Sequence, residues 1–295
     1  MRYVLENEIL KVEIESFGAE IKSVKRKEDG REYMWHADPA YWGRTSPVLF
    51  PIVGSLKNKE YRYDGKTYRM GQHGFARDME FSLESQTKDG IWFVLEATEE
   101  TRANYPFEFR LFIGYVLKEN EVTVLWKVEN TDEKTMYFSI GAHPAFLCPI
   151  HGEADKEGYG LRFGGLTGEL HHHGNSADGM AVMDDKVLAL EDGTVTFTKD
   201  FFDSCTYMVE GKQTGEVSLL DRNRNPYVTV TFDAPLFGLW SKEGANAPFV
   251  CIEPWYGRCD TADFEGSLKE REYGNTLEPG KVFEAEYRIC FGSKA

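Results

Sequence analysis

The sequence predicts an all-β protein folded as a single domain over residues 1–295. Apolar and polar residues alternate with a period of two in segments spread along the whole chain, which is the pattern of strands with one buried face. Turn-forming residues stand between these segments, and no long stretch keeps the 3.6-residue apolar period of a helix. Many strands joined by short polar turns are typical of an antiparallel sandwich or a barrel-like assembly, which can reach this length as one domain.

The strand segments recur from the amino-terminal to the carboxy-terminal part of the chain. Residues 10–15, 122–129, 228–233 and 283–289 alternate apolar and polar side chains, with one exception at Leu125. Hairpin turns are predicted between such segments, at Asp29-Gly30, Asp64-Gly65, Asp89-Gly90, Asp192-Gly193, residues 222–226 and Pro279-Gly280.

Three further segments depart from this pattern. Strand-forming residues become sparse near residues 38–42 and 263–271, where short helical turns are expected. Residues 164–185 are the weakest patterned part of the chain and are predicted to form either a long loop or an irregular hairpin. This segment is too short to divide the chain, and no repeat of solenoid or propeller length is visible.

The composition is that of a globular, acidic protein. The chain has 295 residues, of which 41% are hydrophobic and 14% aromatic, and 34 basic against 49 acidic residues give a net charge of −15. Such a protein lacks the positive field that attracts nucleic-acid phosphates, and it has no basic helix for a membrane surface. Neither nucleic acid nor a membrane is therefore expected as a partner, while the choice between monomer and homodimer stays open.

The amino terminus and the cysteines indicate the compartment. The first eight residues carry acids where a signal peptide needs an apolar core, and no run approaches the ~18 apolar residues of a membrane span. We therefore expect a cytoplasmic protein. The five cysteines form an odd set without CxxC spacing, which argues against a disulfide framework and a zinc ribbon, so we interpret them as buried or unreactive thiols: Cys148, Cys205, Cys251, Cys259 and Cys290.

Polar residues interrupt an apolar context in three segments. These are residues 71–78 with His73 and Arg77, residues 140–146 with His143, and residues 249–258 with Glu253. A histidine beside Gly or Pro is more often a turn residue than a catalyst, so each histidine alone is a weak signal. Glu253 is a stronger one, because a carboxylate at the end of a buried strand costs free energy unless it is paired or used.

Together the three segments indicate general acid–base catalysis. Two imidazoles and one carboxylate can exchange protons near neutral pH without a metal. Neighbouring aromatic side chains are suited to the apolar face of a sugar ring, namely Phe75, Phe146, Trp255 and Tyr256. No phosphate-binding loop, nucleophile elbow or metal motif is present, so no cofactor and no metal is predicted. The consecutive histidines 171–173 favour a solvated loop over a metal site, because neighbouring side chains on a strand point to opposite faces.

The same segments resemble the aldose 1-epimerase, or galactose mutarotase-like, family, and are most similar to its LacX-like bacterial branch. The resemblance rests on HGFAR at residues 73–77, GAHPAF at 141–146 and IEPWYGR at 252–258, and extends to SPVLFPIVG at 46–54 and DGKTY at 64–68. It covers most of the chain in order and spacing. It implies a large antiparallel β-supersandwich that binds a hexose in an open cleft and needs no cofactor.

The resemblance also implies residue roles. Glu253 would take the proton of the anomeric hydroxyl, His143 would protonate the ring oxygen, and His73 would hydrogen-bond the sugar near the reacting carbon. Where members of the galactose mutarotase type have a sugar-binding arginine, this chain has Ser55, and Arg77 is a candidate substitute. The sugar-binding aspartate has no clean match, and Asp203 is a loose candidate.

Three functions follow as expectations. The first is an aldose 1-epimerase acting on a free hexose. The second is the same chemistry on a hexose 6-phosphate held by Arg77 and Arg258, whose guanidinium groups match phosphate oxygens, although salt bridges to Asp78, Asp260 or Asp263 would also explain these arginines. The third is a carbohydrate-binding or sensing protein with negligible turnover.

Overall fold

The computed structural model describes residues 1–204 and 206–292, so Cys205 lies outside the described residues. They form strands β1 (Arg2–Glu6), β2 (Leu10–Glu15), β3 (Glu20–Arg26), β4 (Val48–Leu49), β5 (Glu60–Tyr63), β6 (Lys66–Arg69), β7 (Ser82–Gln86), β8 (Gly90–Glu96), β9 (Phe109–Lys118), β10 (Glu121–Asn130), β11 (Met136–Phe138) and β12 (Ile140–Ala142). The remaining strands are β13 (Ala145–Leu147), β14 (Gly160–Phe163), β15 (Glu169–Asn175), β16 (Ala181–Ala189), β17 (Thr194–Thr196), β18 (Tyr207–Glu210), β19 (Glu216–Leu220), β20 (Pro226–Phe232), β21 (Leu236–Trp240), β22 (Phe249–Tyr256), β23 (Asn275–Leu277) and β24 (Val282–Phe291). The helical elements are α1 (Glu99–Asn104) and 3₁₀ turns at Lys57–Lys59, Ala76–Asp78 and Leu268–Glu270.

Two large sheets dominate the architecture. The nine-stranded sheet has the order β17-β14-β19-β20-β24-β10-β9-β8-β7, and the eight-stranded sheet has the order β16-β15-β18-β21-β22-β12-β4, with β13 paired to β22. A three-stranded sheet, β1-β2-β3, and the two-stranded sheets β11-β23 and β5-β6 complete the fold. Each of these strand pairings is antiparallel within the described chain, as between β10 and β24. The predicted antiparallel all-β supersandwich is therefore confirmed.

Strand alternation explains how the two large sheets pack. β10 buries every second residue, because successive side chains on a strand point to opposite faces. Its buried face joins a core cluster that also takes side chains from β22. Trp126 of β10 lies edge-on to Tyr256 of β22, with ring centroids 6.2 Å apart. The interior between the sheets is thus one continuous hydrophobic core.

The less regular segments have definite structures. Residues 164–185 contain β15 and lead into β16, so the irregular-hairpin alternative is correct, with a register shift between His172 and Gly174. The turn at residues 38–42 is held by backbone hydrogen bonds from Tyr41 and Trp42 to Asp38. The α-helix α1 was not predicted; its signal is the capping box formed by Thr98 and Thr101.

Two simpler expectations concern cysteines and membrane spans. The four cysteines within the described ranges are all buried, as expected: Cys148, Cys251, Cys259 and Cys290. Among the described residues, no helix has the length and apolar character needed to cross a membrane.

Candidate active site

His143 lies in the short link between β12 and β13 and faces Glu253 of the neighbouring strand β22. The flanking register pairs are Gly141 with Trp255 and Ala145 with Cys251. The same register places His143 opposite Glu253, and the Nε2 atom of the histidine is 3.3 Å from Oε2 of the glutamate. Both residues are buried. The strand pairing therefore brings together the two residues that the sequence predicts as acid and base.

His73 reaches the same place from a tight turn. Its backbone has φ 65°, and the following Gly74 has φ 71°. A Cβ on Gly74 would lie 2.2 Å from the carbonyl oxygen of Phe50, so glycine is required there. The Gly54 N–H donates to His73 Nδ1 at 3.1 Å, which leaves the ring proton on Nε2. The His73 ring lies edge-on to that of His143, with centroids 5.6 Å apart.

These residues line an open cavity of about 380 Å³. Of the residues singled out from the sequence, the cavity is lined by His73, Arg77, His143, Glu253, Trp255 and Ser55. This size falls within the range of small-molecule sites, which combine apolar walls with a few polar groups. The three residues that the sequence predicts as catalytic, His73, His143 and Glu253, thus line one shared space.

Burial determines the protonation of the trio. It raises the pKa of the Glu253 carboxyl well above its usual value, an effect partly offset by the Trp255 indole N–H. It lowers the pKa of His143 to about 3, with the positive charge of Arg77 adding to the effect. The pKa of His73 is held well below 6.5 by burial and by its neighbours His143 and Arg77. At pH 7 both imidazoles are therefore neutral, and burial favours the neutral form of the Glu253 carboxyl.

The carboxyl of Glu253 has unused hydrogen-bonding capacity. Neither of its oxygens has an aligned hydrogen bond within the described chain, and the same holds for Trp255 Nε1 and His143 Nδ1. Nε2 is the His143 nitrogen that faces the carboxyl, at 3.3 Å from Oε2. A buried polar group of this kind costs free energy unless a ligand satisfies it. The arrangement can accept a ligand rich in hydroxyl groups.

Trp255 forms part of the cavity wall beside Glu253. The two side chains lie on the same face of β22 because they are two residues apart. The indole packs over Gly141 of β12, where a Cβ would lie 2.7 Å from its Cδ1 atom. The small residue on the neighbouring strand therefore makes room for the large one. The sugar-contacting role predicted for Trp255 fits this location.

Arg77 also reaches the cavity. Its Nη2 atom donates to the backbone oxygen of Gln72 at 2.6 Å, and its Nε atom is buried without a hydrogen-bond partner in the described residues. Burial and the nearby Arg44 lower its pKa to about 10. Asp78 is 3.7 Å away but makes a closer ion pair, of 2.8 Å, with Arg44. Arg77 therefore remains available to a ligand.

Phe146 requires a correction, because it does not line the cavity. It is fully buried in the core between the large sheets, 6.4 Å from the ring of Phe291. It pairs with Val250 on β22, a core-facing position, whereas His143 lies opposite Glu253 on the other face. Alternation along the strand therefore directs Phe146 away from the cavity. The aromatic residues Phe75 and Tyr256 also pack against the core.

Arg258 is likewise outside the cavity. It is 4% exposed, with its Nε atom 2.7 Å from Oε1 of Glu210 and its Nη2 atom in contact with Glu272. The salt-bridge alternative is thus correct for this arginine, although its partners are these two glutamates and not the predicted aspartates. A guanidinium enclosed in this way is not free to bind a phosphate.

Asp203 does not line the cavity with His73, His143 and Glu253 either. Its Oδ1 atom accepts a hydrogen bond of 3.0 Å from the backbone N–H of Gly244. It lines a separate surface depression with Lys199 and Asn246. Asp203 is therefore better explained as a loop-stabilising residue than as the sugar-binding aspartate.

Several cavity residues were missed by the sequence analysis. They are Tyr41, Trp42 and Trp240 among the aromatics, and Gln72, Asn175, Asp178, Lys242 and Glu243 among the polar residues. Gln72 was detectable, because it precedes His73 in a segment already singled out. Trp42 and Asp178 lie in segments whose local pattern shows only a turn or a loop, and nothing in that pattern indicates the cavity.

The histidines at residues 171–173 are explained by local contacts. His171 contacts Asp185 and Glu169, His172 packs on Tyr207 with centroids 4.5 Å apart, and His173 approaches a backbone oxygen. They lie on β15, so the predicted solvated loop is wrong in its structure.

One group of potential metal-ligating atoms lies at the cavity, where those of His143, Cys251 and Glu253 are within 4.8 Å of one another. Burial and the neighbouring Glu253 raise the pKa of the Cys251 thiol well above its usual value. A protonated thiol is a poor metal ligand. The expectation that the protein needs no metal stays a prediction.

Comparison with known proteins identifies relatives over nearly the full length. The family model for aldose 1-epimerase matches residues 1–290. The chromosomally encoded protein LacX of Lactococcus lactis subsp. lactis is 33% identical over 297 residues, covering 98% of this chain and 99% of that protein.

Two crystal structures have closely similar folds. A galactose mutarotase related enzyme from Lactobacillus acidophilus is 38% identical and has a TM-score of 0.91, covering 99% of this chain and 98% of its own. A galactose mutarotase-like protein from Lactobacillus casei is 29% identical and has a TM-score of 0.90, covering 98% of this chain and 99% of its own. The chain belongs to the aldose 1-epimerase family, in which LacX is one of its relatives.

Proposed function

We propose that this protein is an aldose 1-epimerase that interconverts the α and β anomers of a free hexose. The observation that carries the proposal is the 3.3 Å approach of His143 Nε2 to Glu253 Oε2 at the wall of an open cavity. The anomeric oxygen and the ring oxygen of an aldose are bonded to the same carbon. An acid and a base this close together can therefore serve both oxygens at once.

The proposed reaction starts from the neutral pair. Transfer of one proton from the Glu253 carboxyl to His143, directly or through a bound oxygen, produces a carboxylate and an imidazolium without changing the net charge. The carboxylate takes the proton of the anomeric hydroxyl while the imidazolium protonates the ring oxygen. The bond between C1 and the ring oxygen breaks, and the carbonyl at C1 forms. Only protons move between enzyme and sugar, so we expect no cofactor.

Ring closure reverses these steps. After rotation about the C1–C2 bond, the hydroxyl attacks the other face of the carbonyl, His143 recovers its proton, and Glu253 returns one to the anomeric oxygen. His73 supports the same region as a donor, because its Nε2 carries the proton while Nδ1 accepts from Gly54. Positioned acid and base groups typically contribute about 10²–10⁴-fold to a rate.

The hexose 6-phosphate alternative is favoured by one observation and weakened by others. Arg77 lines the cavity together with Lys242, and its buried Nε atom has no hydrogen bond within the described residues, although Asp78 lies 3.7 Å away. However, Arg258 is enclosed by glutamates, and the carboxylates Asp178 and Glu243 also line the space. A dianionic phosphate would meet these acids, so a neutral hexose is the better supported substrate.

Optical rotation and NMR exchange provide the test. Fresh α-glucose and α-galactose should equilibrate faster with the protein than without it, and Glu253→Gln should lose this effect. If every aldose tried equilibrates only at its uncatalysed rate, the proposal is overturned. Sugar binding without any rate enhancement would favour a sugar-binding protein. Arg77→Ala, assayed on glucose and glucose 6-phosphate, separates the two substrates, because a loss confined to the phosphate would support the phosphorylated alternative.

A further inference from the structure

The imidazole of His143 is stacked face to face on an indole. The ring centroids of Trp42 and His143 are 4.6 Å apart with an interplanar angle of 28°. The other two rings around the imidazole meet it edge-on: Trp240 at 5.4 Å and 84°, and His73 at 5.6 Å and 88°. One face of the imidazole is thus covered by a single π surface.

Trp42 is held rigidly in this position. Its backbone N–H donates to Asp38 at 2.9 Å, and its backbone oxygen accepts from Nε1 of the fully buried Trp35 at 2.8 Å. Its own ring packs against Trp240 at 5.4 Å and against Phe249 at 5.8 Å. The indole therefore cannot turn away from His143 without disrupting these contacts.

We propose that Trp42 is a positioning residue for His143, which holds the imidazole ring in its orientation toward Glu253 and stabilises its protonated form through a cation–π contact. The inference rests on the proposed function, because it concerns the step in which His143 becomes positively charged. A cation over an indole face is attracted by the negative centre of the ring, and the effect grows where water is excluded.

The charges around His143 explain why such a contact is needed. Glu253 and the thiol of Cys251 approach it from β22, and only Glu253 can supply a negative charge. His73 and Arg77 approach from residues 71–78, and Arg44 lies two residues after Trp42 in the chain. The positive charges of Arg77 and Arg44 disfavour a protonated imidazole. The aromatic face of Trp42 offsets part of this opposition without adding a charge that would bind the proton permanently.

Two variants and two controls test the proposal. Trp42→Leu removes the π face, and Trp42→Phe keeps a smaller one. Tyr273→Leu removes an exposed aromatic side chain that does not line the cavity. Trp92→Leu removes a tryptophan that packs on Gly114 in the nine-stranded sheet. All four are compared in kcat and KM for anomer exchange, with thermal unfolding as a check on folding.

The expected result is specific to the stacked rings of Trp42 and His143. Trp42→Leu should lower kcat by about 10-fold with KM changed by less than about 2-fold, and Trp42→Phe should recover most of the loss. A rise in KM with unchanged kcat would mean that Trp42 only contacts the sugar, and equal losses in both Trp42 variants would mean that the π face is irrelevant. Either result overturns the proposal.

A readout without turnover separates this inference from the proposed function. The ring protons of His143 should be shifted upfield in NMR spectra by the indole ring current, and Trp42→Leu should remove the shift and alter the imidazole ¹⁵N signals. If the wild-type protein shows no epimerase activity but these changes occur, the proposed function fails while the stacking role stands. Unchanged His143 signals in Trp42→Leu would overturn the positioning role itself.

Discussion

The backbone of Gly238 lies directly against the indole of Trp255. A Cβ added to this glycine would come within 2.4 Å of the ring atoms Cη2 and Cζ2 of the tryptophan. Gly238 is on β21, and its register partner on β22 is Glu253. The missing side chain on one strand thus creates the space in which Trp255 stands beside the buried carboxyl.

The first prediction concerns this glycine. Gly238→Ala should reduce the free energy of unfolding by about 1–3 kcal/mol, because the tryptophan must move to relieve the overlap. It should also lower epimerase activity, since the moved indole no longer lies against Glu253. Denaturant unfolding and kinetics measure the two effects. Gly168→Ala is the control, because no atom lies near its added Cβ; equal stabilities of the two variants would contradict the prediction.

The second prediction concerns Glu253. Glu253→Gln keeps the shape of the side chain but removes the proton acceptor, so kcat should fall by about 10²–10⁴-fold. Sugar affinity, measured by calorimetry, should change little. Glu133→Gln, at an exposed position away from the cavity, should keep full activity. A Glu253→Gln enzyme with wild-type kcat would exclude the carboxylate as the base.

The third prediction concerns stability in acid. The pKa of His143 is lowered to about 3 in the folded protein, and that of His73 is also lowered well below 6.5. As the pH falls below about 6.5, the unfolded chain takes up protons that the folded chain does not. The free energy of unfolding should therefore decrease, by up to about 1.4 kcal/mol per pH unit for each histidine.

His143→Asn should reduce the steepness of this acid dependence by about one proton in unfolding curves taken between pH 6 and 4.5. His151→Asn is the matched control, because His151 is 41% exposed at its side chain. Glu253 acts in the opposite sense. Its folded pKa is raised, so the stability it contributes is present below about pH 4.5 and is lost as the pH rises through the folded value. If the stability of the wild type and of His143→Asn depended equally steeply on pH in acid, the lowered pKa of His143 would be refuted.

The fourth prediction concerns a buried ion pair behind the cavity wall. Nε of Arg271 is 2.8 Å from Oδ1 of Asp260, and the side chains are 3% and 4% exposed. The backbone N–H of Asp260 donates to the oxygen of Ser55, a cavity residue, at 3.0 Å. Asp260→Asn should cost about 3–5 kcal/mol of unfolding free energy, because it leaves a buried guanidinium without its charge partner.

The exposed pair of Lys212 and Asp233, with side chains 54% and 90% exposed, provides the comparison. Asp233→Asn should change the free energy of unfolding by less than about 1 kcal/mol. Chemical denaturation of both variants gives the difference directly. If Asp260→Asn proved no more damaging than Asp233→Asn, the buried pair would not support the cavity wall as described.

Much of the fold could be predicted from alternation. The buried face of β10 at Val122, Val124, Trp126 and Val128 is the face that the sequence pattern indicates. The helix α1 escaped prediction because a six-residue helix is shorter than the window in which a 3.6-residue period becomes visible. The hairpin of β15 and β16 stayed ambiguous because its register shift interrupts the pattern.

Some residues of the candidate site could likewise be predicted from the sequence, and others could not. His73, His143 and Glu253 were detectable because a polar residue in an apolar context has an identifiable cost. Trp42 was not, because its contact with His143 joins segments far apart in the chain. Phe146 and Arg258 were placed in the wrong environment, because an aromatic or a cation that is near a candidate catalytic residue in sequence can still point away from it.

The sequence by itself determined the strand-rich fold class, which follows from the two-residue spacing, and it predicts acid–base chemistry from residue type. The tertiary structure decided which strand face opens to the cavity and which faces the core. Alternation assigns the residues of a strand to two faces but does not show which face lines the cavity. Only the packing of one sheet against the other decides this. Cross-strand register then decided that His143 meets Glu253, because pairing between distant segments depends on the whole sheet.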